Sequence, residues 1–590
     1  MSSKTLKTIV ELNFRITDST TNPIISSSKA FALAAKRYGL MSISHSDFPS
    51  RKTGGFKWDE RQFSSHYQPR TFSENLDVII ALDEKSLTQQ VQRYPDKFGE
   101  NTLIILNKED QPDSQFDPNE FYGTNSKFFY VPFSRLAAGS KNTSVSAFGY
   151  LGSEMGIPQD ILEKAFTESF SNLPERHLNA LKKSLSEGYN YKEQKDLGIE
   201  FEVDTEKTRR MLIDGNQALA EALLNWEVTN STVYPITPAT SIYDQTSDNL
   251  SMIDEILARG GVHTQTISEI ESFGIAIGHI WGGVRNGTQR IFLGTSDPGI
   301  SLGGELLGLV YELPMVVANV MRGTPSTGLP TMTSQSGLRQ AISPTHGDAR
   351  FPVIAPRTVD EMFTAVPTAY NIAEKLSIPV FLLSDRELSI RQETIKRPDL
   401  RKLKPTQPPK RSDLPLKYTG LLSYEDTGLP IPPHDLEAIE QTHLKMYSRI
   451  DYLRENDLII KPRQDLDFYD PLPGKDNEKK IAILPWGSTW YAARDAVDLL
   501  SEELSDNGYD VHLISSLQVY PLQKILLKRI KEYDMIFVPE VNSTGQFAEV
   551  LREETKDYSL NQKVKSILNH RNVMFTPEEI YNQIKGELMS

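Results

Sequence analysis

The chain has 590 residues, with 64 Lys and Arg against 78 Asp and Glu, a net charge of -14, and no cysteine. Single cores rarely grow past about 250 to 300 residues, so several domains are expected. The acidic balance, without any long basic block, excludes the footprint of a nucleic-acid binder, and a chain without cysteine holds neither a disulfide nor a Cys-ligated zinc or iron–sulfur cluster.

The opening MSSKTLKTIVELNF lacks the sustained apolar stretch of a secretory signal, and no run of about 18 apolar residues is present to cross a bilayer. A cytoplasmic protein without a membrane partner is the expectation. In chain order, KTIVELNFRI, DVIIALDE (77–84), TLIILN (102–107) and KFFYVPF (127–133) read as strands, with a helix over SSKAFALAAKRYG. These apolar β-branched runs between helical stretches predict an α/β domain with a mostly parallel sheet over 1–195. SRKTGG (50–55) reads either as a solvated turn or as an anion-binding loop.

Over 196–390 the alternation is cleaner: STVYPI, VHTQTI, RIFLGTS, PMVVANVM and IPVFLLSD read as five strands, with ESFGIAIGHIWGGV and ISLGGELLGLVYE as packed helices. This predicts a doubly wound α/β domain. Residues 391–470 are rich in Pro and charge and read as a linker region with one helix at DLEAIEQTHLKMYSRIDYL, after which KKIAILPWGST, DVHLISS and DMIFVPE predict a smaller α/β domain over 471–590. The chain has no fixed-period repeat, no GxGxxG loop and no GxxxxGK[ST] loop.

Three patches follow strands of the doubly wound domain: YPITPATS (234–241), TISEIE (266–271) and VMRGTPSTGLPT (320–331). In such a sheet the carboxyl ends of the strands lie along one edge, where ligands bind, so a Thr, a Glu and an Arg distant in sequence can meet there. Pro235 and Pro238 bracket Thr237 and stiffen its turn. Arg322 follows an apolar strand and precedes Gly323, Thr324 and Ser326, a composition suited to gripping a carboxylate through a guanidinium fork. The plainer readings are a Pro-rich turn with a capping hydroxyl, a helix N-terminal acid, and a loop arginine paired with a structural acid.

Together these patches resemble the alpha subunit of the 2-oxoacid:ferredoxin oxidoreductases, in the pyruvate:ferredoxin oxidoreductase superfamily. YPITP and RGTPSTGLPT look like that family's signature segments, and HGD (346–348), PVFLLSD (379–385), WGST (486–489) and PEVNSTGQFAEVLR (539–552) follow in its order. FPSRKTGG (48–55) and DVIIALDE resemble its gamma subunit, fused ahead of alpha. The resemblance implies a gamma-type α/β domain, a thiamin diphosphate pyrimidine-binding domain and a transketolase C-terminal-like α/β domain. It implies that Glu269 hydrogen-bonds the cofactor's aminopyrimidine, with Tyr234, Pro235 and Ile236 beside it. Thr237, Arg322, Gly323 and Thr324 would hold the 2-oxoacid. The resemblance also implies that the Gly-Asp-Gly motif that carries Mg²⁺ and the diphosphate, and the cysteines of the [4Fe-4S] clusters, belong to a separate beta subunit, consistent with the lack of that motif and of cysteine here. Coenzyme A and ferredoxin complete the expected partners, in an alpha-beta heterodimer or its dimer.

Two departures stand out. The family's Gly-rich loop after the first strand is replaced by ITDSTTNPI (16–24), and TSDPG places Asp297 where the family has glycine, adding negative charge beside an anion site. They leave open a non-catalytic structural or regulatory paralogue, or an indolepyruvate-type thiamin oxidoreductase subunit.

Overall fold

The computed structural model describes residues 8–20, 22–48, 56–108, 117–192, 199–203, 209–244, 251–286, 290–399, 404–406, 422–424, 427–472 and 479–589. SRKTGG (50–55) and much of the Pro-rich 391–430 stretch lie outside them. The chain forms two compact units, one of residues 1–213 with 391–397, the other of 214–390 with 398–590.

The first unit is built on an eight-stranded sheet in the order Lys127–Val131, Leu103–Asn107, Val78–Ala81, Glu11–Asp18, Lys57–Ser64, Met41–Asp47, Gln392–Ile395, Met211–Asp214. Its half from Lys127–Val131 to Glu11–Asp18 is parallel, as the apolar runs predict, but Lys57–Ser64 pairs antiparallel with both Glu11–Asp18 and Met41–Asp47. The expectation of a mostly parallel sheet therefore fails over half its width. Gln392–Ile395, within the stretch read as a linker, is a strand here, antiparallel to Met41–Asp47.

KWDERQFS looks like a loop by composition, yet all of its residues after Lys57 are buried. Burial of charge is tolerated because the charges meet partners. Arg15 bonds Glu60 through Nε and Nη2 and Gln90 through Nη1, and its guanidinium stacks 4.2 Å from the Trp58 ring centroid. Arg61 pairs with Asp59 at 3.1 Å. Burial opposes the charge on Glu60, but Arg15 and Lys97 overcome it and hold its carboxyl down at about 2.

The second unit carries two sheets. The first runs Val262–Gln265, Asn230–Val233, Ile291–Thr295, Met315–Met321, Pro379–Asp385, Val353–Ile354, all parallel, and ends on Gln518–Tyr520, antiparallel. All five expected strands are present. Val353–Ile354 is too short, and Gln518–Tyr520 too distant, for periodicity to have revealed them. From Asn230–Val233 the chain crosses first to Val262–Gln265 on one side and then to Ile291–Thr295 on the other, a topological switch point that opens a crevice at the carboxyl edge. The second sheet runs Phe468–Tyr469, Tyr509–Ile514, Lys479–Ile483, Met535–Glu540, Val564–Leu568, parallel except for the first.

Fully buried Gln335 joins the two halves of this unit. Its Nε2 donates to the Trp486 carbonyl (2.7 Å), its Oε1 accepts from the Val541 N–H (3.0 Å) and its own N–H donates to the Val541 carbonyl (2.8 Å). Among the described residues no helix is long and apolar enough to cross a membrane.

The Glu60 ion pair makes a stability prediction. Its folded pKa lies below the ordinary 4.5, so its contribution is complete above that value and is lost as pH falls toward about 2. Glu60→Gln, which leaves the buried Arg15 without its counter-charge, is expected to destabilise the first unit by roughly 3–5 kcal/mol at pH 7, and by less below pH 4.5. Hydrogen exchange of that sheet at pH 7 and pH 3 checks it; an equal deficit at both would contradict the ionic origin.

Candidate active site

Four segments converge where the strands of the second unit end. The first is YPITPATS, after Asn230–Val233. It leaves the sheet extended and contains a cis Thr237–Pro238 peptide. Asn216, at the start of the helix Gly215–Asn225, ties it down by donating to the Pro238 carbonyl (2.9 Å) and to Ser241 Oγ (2.7 Å). Tyr234 and Ile236 are half-buried, whereas Pro235 and Thr237 are exposed.

The second segment opens the helix Glu269–Asn286. Thr266 Oγ1 fastens its start by donating to the Val233 and Ser268 carbonyls. Glu271 serves the helix terminus, its Oε2 accepting from the Ile267 N–H at 2.7 Å. Glu269 is different: it is buried, and among the described residues no donor reaches its carboxylate. Its Cγ lies beside the start of the helix Asp297–Leu309, at Gly299. A Cβ on Gly299 would come within 3.0 Å of Glu269 Cγ and 2.0 Å of Thr295 Oγ1, so glycine lets the two helix starts meet.

The third segment is TSDPG, and the fourth is the loop after Met315–Met321. Arg322 is 5% exposed; its Nη1 donates to the Thr237 carbonyl at 2.6 Å, and its Nε, also buried, has no partner. Gly323 exchanges main-chain bonds with Leu329 and Met332, and Thr324 Oγ1 meets Ser336 Oγ at 2.9 Å, so the loop closes on itself. Burial draws the Arg322 guanidinium toward losing its proton, and the nearby Asp297 and Glu269 carboxylates oppose that.

Arg322, Glu269 and the YPITP loop are thus brought together. Thr237 contributes its carbonyl to Arg322 and leaves its side chain at the surface. Asp297 is buried and bonded to Asn319 and the Arg322 main chain, so it is not an open charge in the crevice. Composition had no means of assigning Asn216 or Gln335 to the site, whereas Asn319, a lone polar residue in the apolar strand MVVANVM, was a readable signal.

The departing loop of the first unit lies within the described residues except for Thr21. Asp18 accepts from Thr20 Oγ1 (2.7 Å), and Asp83 accepts from the Ser19 N–H (2.7 Å). This strand edge presents two carboxylates, not a cradle for phosphate.

Comparison with known proteins decides the family. The model described as pyruvate flavodoxin/ferredoxin oxidoreductase, thiamine diP-bdg, matches residues 221–434, and that for pyruvate ferredoxin/flavodoxin oxidoreductase matches 23–191. The 2-oxoglutarate synthase subunit KorA of Methanocaldococcus jannaschii is 31% identical over 398 residues, 63% of this chain and 99% of that protein. The chain belongs to the 2-oxoacid:ferredoxin oxidoreductase family. It is an alpha subunit with a gamma-type domain at its amino-terminal side, and it carries the family's thiamine-diphosphate-binding domain. The 2-oxoglutarate oxidoreductase subunit KorA of Mycobacterium tuberculosis is 29% identical over 482 residues, 76% of this oxidoreductase subunit and 69% of that one. In fold, this subunit matches the 2-oxoglutarate:ferredoxin oxidoreductase of Magnetococcus marinus, solved with 2-oxoglutarate, coenzyme A and succinyl-CoA, with a TM-score of 0.79, 24% identity and coverage of 98% and 100%.

Gly299→Ala tests the closeness of the two helix starts. Alanine favours a helix, so stability should stay within about 2 kcal/mol. Displacement of Glu269 should still lower turnover at least about tenfold in the assembled oxidoreductase. Unchanged turnover would show that the approach at Gly299 does not place Glu269.

Proposed function

We propose that this chain is the gamma-alpha fused subunit of an enzyme that, with a beta subunit, converts a 2-oxoacid and coenzyme A to acyl-CoA and CO₂ while reducing ferredoxin in the cytoplasm. The observation that carries this reading is the buried Arg322, whose Nε is left without a partner beside the acceptor-rich YPITP and Glu269 segments. A guanidinium with an open donor in a desolvated crevice is suited to an incoming carboxylate.

Thiamin diphosphate supplies the electron sink that lets a 2-oxoacid lose CO₂. The residues present fit that group, because Glu269 offers a buried carboxylate that no neighbouring donor satisfies and that is free to accept from a pyrimidine nitrogen. Tyr234, Pro235 and Ile236 form the adjoining rigid wall. Gly323 and Thr324 complete the pocket around the substrate, and Thr237 holds the guanidinium in place through its carbonyl.

A beta partner carrying Mg²⁺, the diphosphate contacts and [4Fe-4S] clusters accounts for what these 590 residues lack, since they contain no cysteine. Exposed apolar residues on the site segments support a covering subunit: Ile267 and Ile270 beside Glu269, Leu302 on the helix Asp297–Leu309 and Leu329 in the loop after Arg322 are 88%, 52%, 51% and 50% exposed. Exposed apolar side chains clustered around a polar site mark an interaction surface. Coenzyme A as acyl acceptor is supported by the family and by the ligands of the Magnetococcus enzyme; the Asp18 and Asp83 edge, with its two carboxylates, is unsuited to its phosphates. Several relatives are named for 2-oxoglutarate. Co-expression with the beta subunit and methyl-viologen reduction across pyruvate, 2-oxobutyrate, 2-oxoglutarate and branched 2-oxoacids tests the reading, and no reduction with any of them would refute it.

Two substitutions divide the roles. Glu269→Gln is expected to leave the complex assembled but nearly abolish exchange of the cofactor's C2 proton, because an amide does not share a proton with the pyrimidine as a carboxyl does. Wild-type exchange in that variant would remove Glu269 from the mechanism. Arg322→Lys keeps the charge and loses the fork, so kcat/KM should fall roughly ten- to hundred-fold, with kcat falling and KM rising. Activity within two-fold of wild type for every 2-oxoacid would make Arg322 a structural residue.

A further inference from the structure

We propose that Asp297 is a positioning residue whose carboxylate pins the main chain at Arg322, so that the guanidinium is held across to the Thr237 carbonyl with its Nε left open. This rests on the reading of Arg322 as the substrate clamp and extends it to a residue that does not touch substrate.

Asp297 begins the helix Asp297–Leu309, a place where surface acids commonly serve the helix dipole. This one is 5% exposed, and its oxygens turn to the neighbouring strand. Oδ1 accepts from Asn319 Nδ2 at 2.9 Å, and Oδ2 accepts from the Arg322 N–H at 3.1 Å. One side chain therefore ties the segment after Ile291–Thr295 to the carboxyl end of the strand Met315–Met321, where Arg322 leaves the sheet. Burial pushes the Asp297 carboxyl up, opposed by these two bonds and by the Arg322 charge. An acid retained under that penalty is held for its geometry or its charge, and the surroundings favour geometry. A Cβ at Gly337 would stand 2.4 Å from Asp297 Oδ1, so the fold keeps a glycine to admit the carboxylate. Asn319 Oδ1 has no partner.

That vacant oxygen separates the two explanations. An asparagine at 297 keeps both bonds if the Asn319 amide turns over: its oxygen accepts from the Arg322 N–H and its nitrogen donates to Asn319 Oδ1. An alanine keeps neither. The experiment uses the complex with its beta partner and compares Asp297→Ala, Asp297→Asn, Gly337→Ala, Arg322→Lys and the Asp297→Ala, Arg322→Lys double variant, together with hydrogen exchange of the 320–324 peptide.

Asp297→Ala should lower kcat/KM about tenfold or more, with kcat falling and KM rising, and should speed exchange at 320–324. Asp297→Asn should stay within about threefold of wild type on both measures, and Gly337→Ala, which crowds the carboxylate in place, should follow the alanine variant. Because Asp297 acts through Arg322, adding Asp297→Ala to Arg322→Lys should cost less than about a further twofold. The proposal is overturned if Asp297→Ala behaves as wild type while Arg322→Lys is impaired, if the two losses multiply in full, or if Asp297→Asn is as damaged as alanine, which would make charge the cause. Wild-type activity in Arg322→Lys would instead defeat the clamp reading, and exchange at 320–324 in Asp297→Ala would then report separately on whether the main chain is pinned.

Discussion

A guanidinium buried at the carboxyl edge of a parallel sheet is the constraint around which the second unit is arranged. Removing Arg322 from water is costly unless acceptors surround it. The fold supplies a carbonyl from the YPITP turn and two acids from the starts of neighbouring helices. The carbonyl accepts from the guanidinium and the two acids act on it through their charge, and each depends on a further residue: Asn216 for the turn, Gly299 for the approach of Glu269, and Gly337 for room beside Asp297. Gln335, just past the Arg322 loop, then anchors that loop to the Trp486 and Val541 segments. The smaller sheet of this unit thereby holds the site loop.

Buried arginines elsewhere show what is unusual about this one. Arg15 and Arg357 place Nε, Nη1 and Nη2 on protein acceptors. Arg61 does leave nitrogens without partners, but it lies in mid-strand inside the core, against Asp59 and Ser28. Arg322 is the case in which the open donor stands at a strand end, beside a loop whose outer residues reach solvent. Burial, an incomplete set of partners and position at the carboxyl edge of the sheet together favour a ligand; any one of them alone fits a structural residue.

What could be read from the sequence follows the same physics. Buried parallel strands are continuous apolar runs, so DVIIALDE, TLIILN and PMVVANVM announced themselves. Lys57–Ser64 did not, because its stability comes from charges paired across strands, and Arg15 and Glu60 are partners only once the sheet has formed. The site divides in a similar way. Arg322 and Glu269 sit in short local patterns and were found, whereas the use of the Thr237 carbonyl and the bracing by Asn216 and Gln335 are tertiary facts. Asp297 was noticed as a foreign charge, but its direction was hidden, since its two donors lie 22 and 25 residues away.

That direction resolves the apparent conflict of an acid beside an anion site. Two acids lie near one guanidinium, so the crevice has little net attraction at long range for a carboxylate, and a chain of net charge -14 adds none. Long-range steering is therefore a poor account of substrate capture here. Short-range geometry remains: an open Nε in a rigid setting favours a planar carboxylate that can meet it in line, and the gain appears only on contact. A site of this kind would be selective for shape more than for charge, the property that the proposed reaction needs, because it requires the same carboxylate to be oriented for its departure as CO₂. On the proposed role of Asp297, pinning the main chain with a buried acid would strengthen the site through orientation, even while its charge weakens the field.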